Sequence, residues 1–186
     1  MIVTDDADAA RLMDSMRNQG RADDGGWLRH ERLGYNYRLD ELSAAIGEVQ
    51  MARLDELLAA RRAVAERYDG LLGQIPGVSI PYRHPQADVS WFVYVARLER
   101  GVDRDEVIRR LDARGVQCRP YFPSIHLQPY YANKYGYKRG DFPITEEVSS
   151  RTLSLPFFGQ LREEEQHYVC EELSSVLREL AAPASR

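Results

Sequence analysis

The sequence has almost no lysine: of its 25 cationic residues only Lys134 and Lys138 are lysines, and both lie in one polar, tyrosine-rich stretch. Chemistry that needs a buried reactive lysine therefore has almost no candidate within these 186 residues. Cysteine is equally scarce. Cys118 and Cys170 stand far apart and form no CxxC or Cys/His spacing that could cage zinc, which fits a reducing compartment. No apolar run approaches the ~18 residues of a membrane span. The opening Met1-Ile2-Val3-Thr4-Asp5-Asp6 lacks the basic and apolar regions of a secretory signal. A soluble, cytoplasmic chain is expected. Positive charge is not in excess either, because 25 Lys and Arg face 29 Asp and Glu for a net charge of -4. That balance offers no footprint for nucleic acid or an anionic membrane.

What remains is an ordinary globular composition, 44% apolar and 29% charged with a mean hydropathy of -0.50. Residues 1–4 read as a strand with nothing before it to pair with. Residues 8–19 carry Ala9, Leu12, Met13 and Met16 at helical spacing and stop at Gly20, and residues 21–37 read as a loop. The strongest periodicity runs through residues 40–72, where Leu42, Ile46, Val49, Leu54, Leu57, Val64, Tyr68 and Leu71 predict one long helix. Asp40 would cap it and Gly73 with Pro76 would stop it. At about 1.5 Å per residue it would reach roughly 50 Å, a length suited to bridging domains or subunits.

Beyond it, short strands are expected at residues 78–80, 91–98, 116–119 and 153–155. Asp103 with Glu106 has the form of a capping box, opening a helix that ends at Gly115. Thr145 would cap a helix over residues 146–151, and residues 162–180 would form the last helix, with a frayed tail after it. Pro120, Pro123 and Pro129 force an irregular passage through Tyr121 and His126. The order of elements from Val78 onward describes a small α+β or α/β domain.

None of the four histidines, His30, His84, His126 and His167, sits at metal-ligand spacing with another histidine or cysteine, so no metal is expected. His167 lies beside Glu163 to Glu165 on a charged helix face. His126 differs because its proline-stiffened aromatic loop would hold the ring in a fixed direction. Gly34-Tyr35-Asn36-Tyr37-Arg38 places an amide, two phenols and a guanidinium before a helix N-terminus, where backbone N–H groups favour anions. Phosphate binding is one reading. The other is that the tyrosines pack, Asn36 turns the chain and Arg38 pairs with a nearby acid. Residues 130–139 mix cations with aromatics as single-strand binding surfaces do, yet without RNP-like or KH-like company they read as a tyrosine-rich surface loop at an interface.

These motifs carry a resemblance. Gly34-Tyr35-Asn36-Tyr37-Arg38-Leu39-Asp40-Glu41-Leu42 resembles the signature of the DegT/StrS family of sugar aminotransferases, and Ala44-Ala45-Ile46-Gly47, Gln50, Arg61-Arg62 and Tyr68 follow in order. Ser90-Trp91-Phe92-Val93-Tyr94, Pro123-Ser124-Ile125-His126-Leu127-Gln128-Pro129-Tyr130-Tyr131, Tyr135-Gly136-Tyr137, Gly140-Asp141-Phe142-Pro143 and Leu153-Ser154-Leu155-Pro156 resemble its C-terminal half. The resemblance implies an α/β fold, the C-terminal portion of the aspartate-aminotransferase-like fold. Residues 1–38 would be a remnant of the large cofactor-binding domain, 39–73 a long interdomain helix and 74–186 a small C-terminal domain.

It also implies pyridoxal phosphate as cofactor, glutamate as amino donor, a nucleotide-linked keto-sugar as acceptor and a homodimer. Asn36 would reach the cofactor phosphate of the neighbouring subunit, while His126, Arg38 and Tyr121 would lie on the substrate side. The family's cofactor lysine falls before the segment that matches Met1, and neither Lys134 nor Lys138 matches its motif. The chain alone is thus expected to be inactive and not to hold the cofactor. The alternative is a noncatalytic interaction or dimerisation domain derived from such an enzyme. Arg162, where the family often has a Ser or Thr cap, would cost the last helix ~1 kcal/mol.

Overall fold

Asp6 begins the first helix by accepting from the backbone N–H groups of Asp8 and Ala9 at 2.9 and 3.0 Å, which satisfies two of the donors that a helix start leaves unpaired. This helix, α1, covers Ala7–Arg17 in a computed structural model that describes residues 2–22 and 29–182. The chain divides into two compact units, residues 1–54 and 55–186. The expected strand at residues 1–4 is not formed by residues 2–4, and Met1 lies outside the described residues.

In the N-terminal unit, Asp40 caps α2 (Glu41–Ala52) through the Ser43 N–H at 2.9 Å. The expected single helix over residues 40–72 is interrupted: α2 ends at Arg53, and α3 runs Leu54–Leu72. The apolar spacing slips at the same point, with a five-residue step from Val49 to Leu54 where three or four would keep one face and with Arg53 on the stripe itself. Part of the expected 21–37 loop, residues 23–28, lies outside the described residues, as does the tail at 183–186.

The C-terminal unit packs α3, α4 (Arg104–Ala113) and α7 (Glu163–Ala181) with a sheet of four strands, β1 (Val78–Ser79), β2 (Tyr94–Leu98), β3 (Arg119–Pro120) and β4 (Thr152–Leu155). Their order is β1-β2-β4-β3 and every pairing is antiparallel. β1 and β2 are shorter than expected, β3 starts only at Arg119 and pairs Pro120 with Leu153, and β4 is one residue longer than expected. The core joins Val64, Tyr68 and Leu72 of α3 to Tyr94 and Leu98 of β2, Leu111 of α4, Leu153 of β4 and Leu173 of α7. Gln166 is fully buried yet satisfied, accepting from Arg67 Nε at 2.6 Å and donating to the Val64 carbonyl at 2.9 Å. Both cysteines are buried here, and burial pushes each thiol up to about 12, which makes them packing groups rather than nucleophiles.

Local chemistry sets the remaining boundaries. Asp103 caps α4, but Glu106 does not complete a capping box, because its carboxylate pairs with Arg109 and with Arg110 at 2.5 Å. Pro143 at the first position starts α6 (Pro143–Arg151) two residues before Thr145, which is therefore not its cap. Residues 129–135, read as part of a loop, form α5 (Pro129–Tyr135), closed by Gly136 at φ +74. At the head of α7, Glu165 accepts the Arg162 N–H at 2.9 Å and binds its guanidinium at 3.1 Å, which offsets the missing Ser or Thr cap.

Acid should loosen this unit. Hydrogen bonds from Arg114 hold Glu179 below the ordinary glutamate value of 4.5, and those from Arg162 do the same for Glu165. Depressed carboxylates contribute stability that is complete above their unfolded pKa and is lost as pH falls through the folded one. The thermal midpoint should be level from pH ~7 to ~5 and fall below ~4, less steeply in Glu179→Gln. A midpoint independent of pH down to ~3 would contradict this.

Candidate functional site

Two clusters carry the residues that the sequence singles out, one in each unit. In the N-terminal unit, residues 34–38 dock along the end of α1. The Tyr35 N–H donates to the Met16 carbonyl at 2.7 Å, the Gln19 N–H to the Tyr35 carbonyl at 2.8 Å, and the Tyr37 N–H to the Arg17 carbonyl at 2.8 Å. This pairing brings Asn36 opposite Asn18 as an isolated bridge. The Tyr35 and Tyr37 rings stack at 5.1 Å. Arg38 donates to the Asn18 side-chain oxygen at 2.6 Å rather than to an acid. The Asn36 side chain is exposed and makes no hydrogen bond among the described residues. Two exposed tyrosines stacked on each other and an engaged Arg38 thus stand beside an amide that is unpartnered among the described residues, four residues before the Asp40 cap of α2.

In the C-terminal unit, the passage from β3 to α5 holds Tyr121 and His126. Phe122 sits at φ +46, a left-handed backbone that a bulky residue seldom adopts, and such strain gathers at functional loops. The Tyr121 ring is half-buried against Phe122 at 4.7 Å, and its carbonyl accepts from Thr152 Oγ1 at 3.3 Å. Ser124 is tied to Ser149 of α6 at 2.7 Å. His126 follows in a short 3-10 turn, Ile125–Leu127, with only 8% of its surface exposed.

The His126 ring lies 4.8 Å from Phe142 and 6.4 Å from Tyr137, and its Nε2 is 3.0 Å from Oε1 of Glu146. That same oxygen accepts the backbone N–H of Gly140 at 2.8 Å and of Phe142 at 3.4 Å. Burial pushes the Glu146 carboxyl upward, but the hydrogen bonds from Gly140, His126 and Phe142 outweigh it and leave the group below its ordinary value. Glu146 is the residue that sequence reasoning missed. Its partner is 20 positions away, and the expected helix over residues 146–151 places it in a first turn without showing that it meets His126.

The lysines stand apart from any such setting. Both are exposed, and Lys134 donates to the Tyr130 hydroxyl at 3.0 Å while lying over the Tyr130 and Tyr135 rings at 5.3 and 5.4 Å. Among the described residues no helix is long and apolar enough to cross a membrane.

Comparison with known proteins gives a family. The model of the DegT/DnrJ/EryC1/StrS aminotransferase family matches residues 1–174. The chain is 36% identical to the erythromycin biosynthesis sensory transduction protein EryC1 of Saccharopolyspora erythraea over 94% of its length and 46% of that protein's. It is 36% identical to the GDP-perosamine synthase of Caulobacter vibrioides over 95% and 47%, and 35% identical to the dTDP-3-amino-3,4,6-trideoxy-alpha-D-glucose transaminase of Streptomyces venezuelae over 83% and 39%. Among solved structures, S. venezuelae DesV in complex with a ketimine intermediate superposes with a TM-score of 0.83 at 33% identity, covering 98% of this chain and 47% of that one. The chain thus spans about half the length of the relatives it matches.

Proposed function

The chain belongs to the DegT/DnrJ/EryC1/StrS aminotransferase family, whose members depend on pyridoxal phosphate, and from that premise we propose that it is the C-terminal part of a sugar aminotransferase. The reaction moves an amino group, with glutamate as donor, to a nucleotide-linked keto-sugar, and the working unit is a homodimer. The aminotransferase-like α/β fold agrees, since the superposition on DesV covers nearly the whole chain.

The described residues fit one part of the cofactor. The exposed, unpartnered Asn36 amide suits a phosphate oxygen, which needs a donor and gains from the nearby N-terminus of α2. They offer no covalent anchor, because Lys134 and Lys138 are both surface groups. A lysine from the half of the relatives' length that this chain does not span would supply it. When bound, pyridoxal phosphate supplies the electron sink for amino exchange. Asn36 would hold its phosphate from across the dimer interface, while His126 would bind the sugar, with Tyr121 and Arg38 also on the substrate side. The observation that carries this reading is the free Asn36 amide within an Asn-Tyr-Arg segment of a chain matched along residues 1–174. The second reading, a noncatalytic dimerisation domain, is favoured by the two exposed lysines.

Cofactor binding tests the proposal. The 186-residue chain, treated with pyridoxal phosphate and borohydride, should give no stoichiometric single-site adduct by mass spectrometry. In a chimaera joining it to the N-terminal half of the S. venezuelae transaminase, Asn36→Ala should weaken cofactor retention by about 0.5–3 kcal/mol, the span of one hydrogen bond to a neutral or charged acceptor. His126→Ala should spare the cofactor and raise the sugar requirement. Unchanged cofactor affinity in Asn36→Ala, with cofactor loss in His126→Ala, would refute both roles.

A further inference from the structure

His126 is held more completely than a surface-loop histidine requires. Its ring is clamped by Phe142 and Tyr137, its turn is fastened to α6 through Ser124 and Ser149, and its Nε2 meets a carboxylate oxygen already taking two backbone N–H groups. Three donors converge on Oε1 of Glu146, whereas among the described residues Oε2 faces only the Arg139 guanidinium at 3.9 Å. A carboxylate only accepts, so the His126 nitrogen facing it must carry the proton. In the neutral ring Nδ1 is then bare. Nδ1 makes no hydrogen bond among the described residues and is not fully sealed from the surface, so it is left available as an acceptor.

We infer that Glu146 is a positioning residue that locks His126 in its Nε2–H tautomer and so presents Nδ1 as the acceptor for a hydroxyl of the sugar ligand. This rests on the placement of His126 beside the sugar proposed above. The Glu146–His126 pair does two things at once. It fixes which ring nitrogen accepts, and through Gly140 and Phe142 it fixes the loop whose Phe142 ring packs against the imidazole. A ligand offering a hydroxyl is then bound by a preset acceptor, with no tautomer exchange needed on binding.

Long-range proton–nitrogen NMR spectra of the 186-residue chain, recorded where imidazole is neutral, read the tautomer directly, with His126→Gln assigning the signal. The wild type should show Nε2–H. Glu146→Gln, whose carbonyl oxygen can accept at the same place, should keep it, and Glu146→Ala should show a substantial Nδ1–H population while the signals of Trp91 and Tyr94 stay native. A wild-type Nδ1–H ring, or an unchanged tautomer in Glu146→Ala, overturns the proposal.

The chimaera adds the substrate side, with the dTDP-amino sugar of the S. venezuelae enzyme as probe. Glu146→Ala and His126→Ala should each raise KM about tenfold, the scale of one lost hydrogen bond. Cofactor affinity should not change, and the double variant should be no worse than either single one. Glu146→Gln should stay within about twofold. If His126→Ala raises KM and Glu146→Ala does not, the positioning role falls. If His126→Ala leaves KM unchanged, the placement of His126 falls instead, and the tautomer spectra still decide what Glu146 does.

Discussion

Gly34→Ala should release residues 34–38 from the end of α1, and with them the Asn36 amide. A Cβ at position 34 would lie 2.2 Å from the Gly20 nitrogen, 2.6 Å from the Gln19 carbonyl carbon and 2.7 Å from the Met16 carbonyl oxygen. All three are backbone atoms, so no side chain can swing aside and the segment itself must move. Movement breaks the bonds from Tyr35 to Met16, from Gln19 to Tyr35 and from Tyr37 to Arg17. At about 0.5–1.5 kcal/mol each, their loss amounts to roughly 2–4 kcal/mol. The apolar side chains of α1 leave little to resist it, since Ser15 is the only buried residue of that helix. Hydrogen exchange of the Gln19, Tyr35 and Tyr37 amides should accelerate by about thirtyfold to several-hundredfold, while the amides of α7 stay protected. Gly47→Ala is the control: nothing lies within 4 Å of a Cβ there, and an alanine inside a helix should stabilise by about 0.5–1 kcal/mol. Equal exchange in Gly34→Ala and wild type would show that the segment is not seated as described.

The contrast between these glycines shows what a sequence discloses. Asp40, Asp103 and Gly115 could be read because a cap acts within a few residues of itself, and each is found at a helix end. Pro129 and Gly136 bracket α5 by the same local rules, but the tyrosines between them carry no helical period and hide it. The break at Arg53 shows in the apolar spacing only as the five-residue step from Val49 to Leu54, a slip that a long series hides. The Asn-Tyr-Arg segment and the His126 loop could be located because their residue types are unusual where they stand. Their partners could not, since Asn18 meets Arg38 across 20 positions and Glu146 meets His126 across 20 more, and such pairings depend on how helices pack. Gly34 belongs to this class: its need for no side chain comes from Met16 and Gly20, not from its own neighbours.

Charging one face of α2 should abolish self-association of the chain. Leu42, Ile46 and Val49 recur at three- and four-residue spacing along α2, so they share one face, and they are 80%, 66% and 59% exposed. No residue of α2 is buried. An apolar stripe of this kind on a water-facing helix marks an association surface, and two copies of the chain can cover it reciprocally about a two-fold axis. Fully burying a Leu, Ile or Val side chain is worth about 1.5–3 kcal/mol. Replacing both Ile46 and Val49 with Asp removes two such contributions and adds charges that would have to be desolvated or would repel across the axis. The dissociation constant should rise by at least about a hundredfold, equivalent to ~2.7 kcal/mol. Sedimentation velocity over a wide concentration range should show wild-type dimers or larger species and a monomeric double variant. The folded C-terminal unit should be unaffected, because its core draws on α3, β2, α4, β4 and α7 and takes nothing from α2. Near-ultraviolet circular dichroism of Tyr94, with the Tyr68 ring 5.0 Å and the Trp91 ring 5.7 Å from it, reports on that core. A wild-type chain that stays monomeric at high concentration, or a double variant that associates as strongly, would place the assembly surface elsewhere.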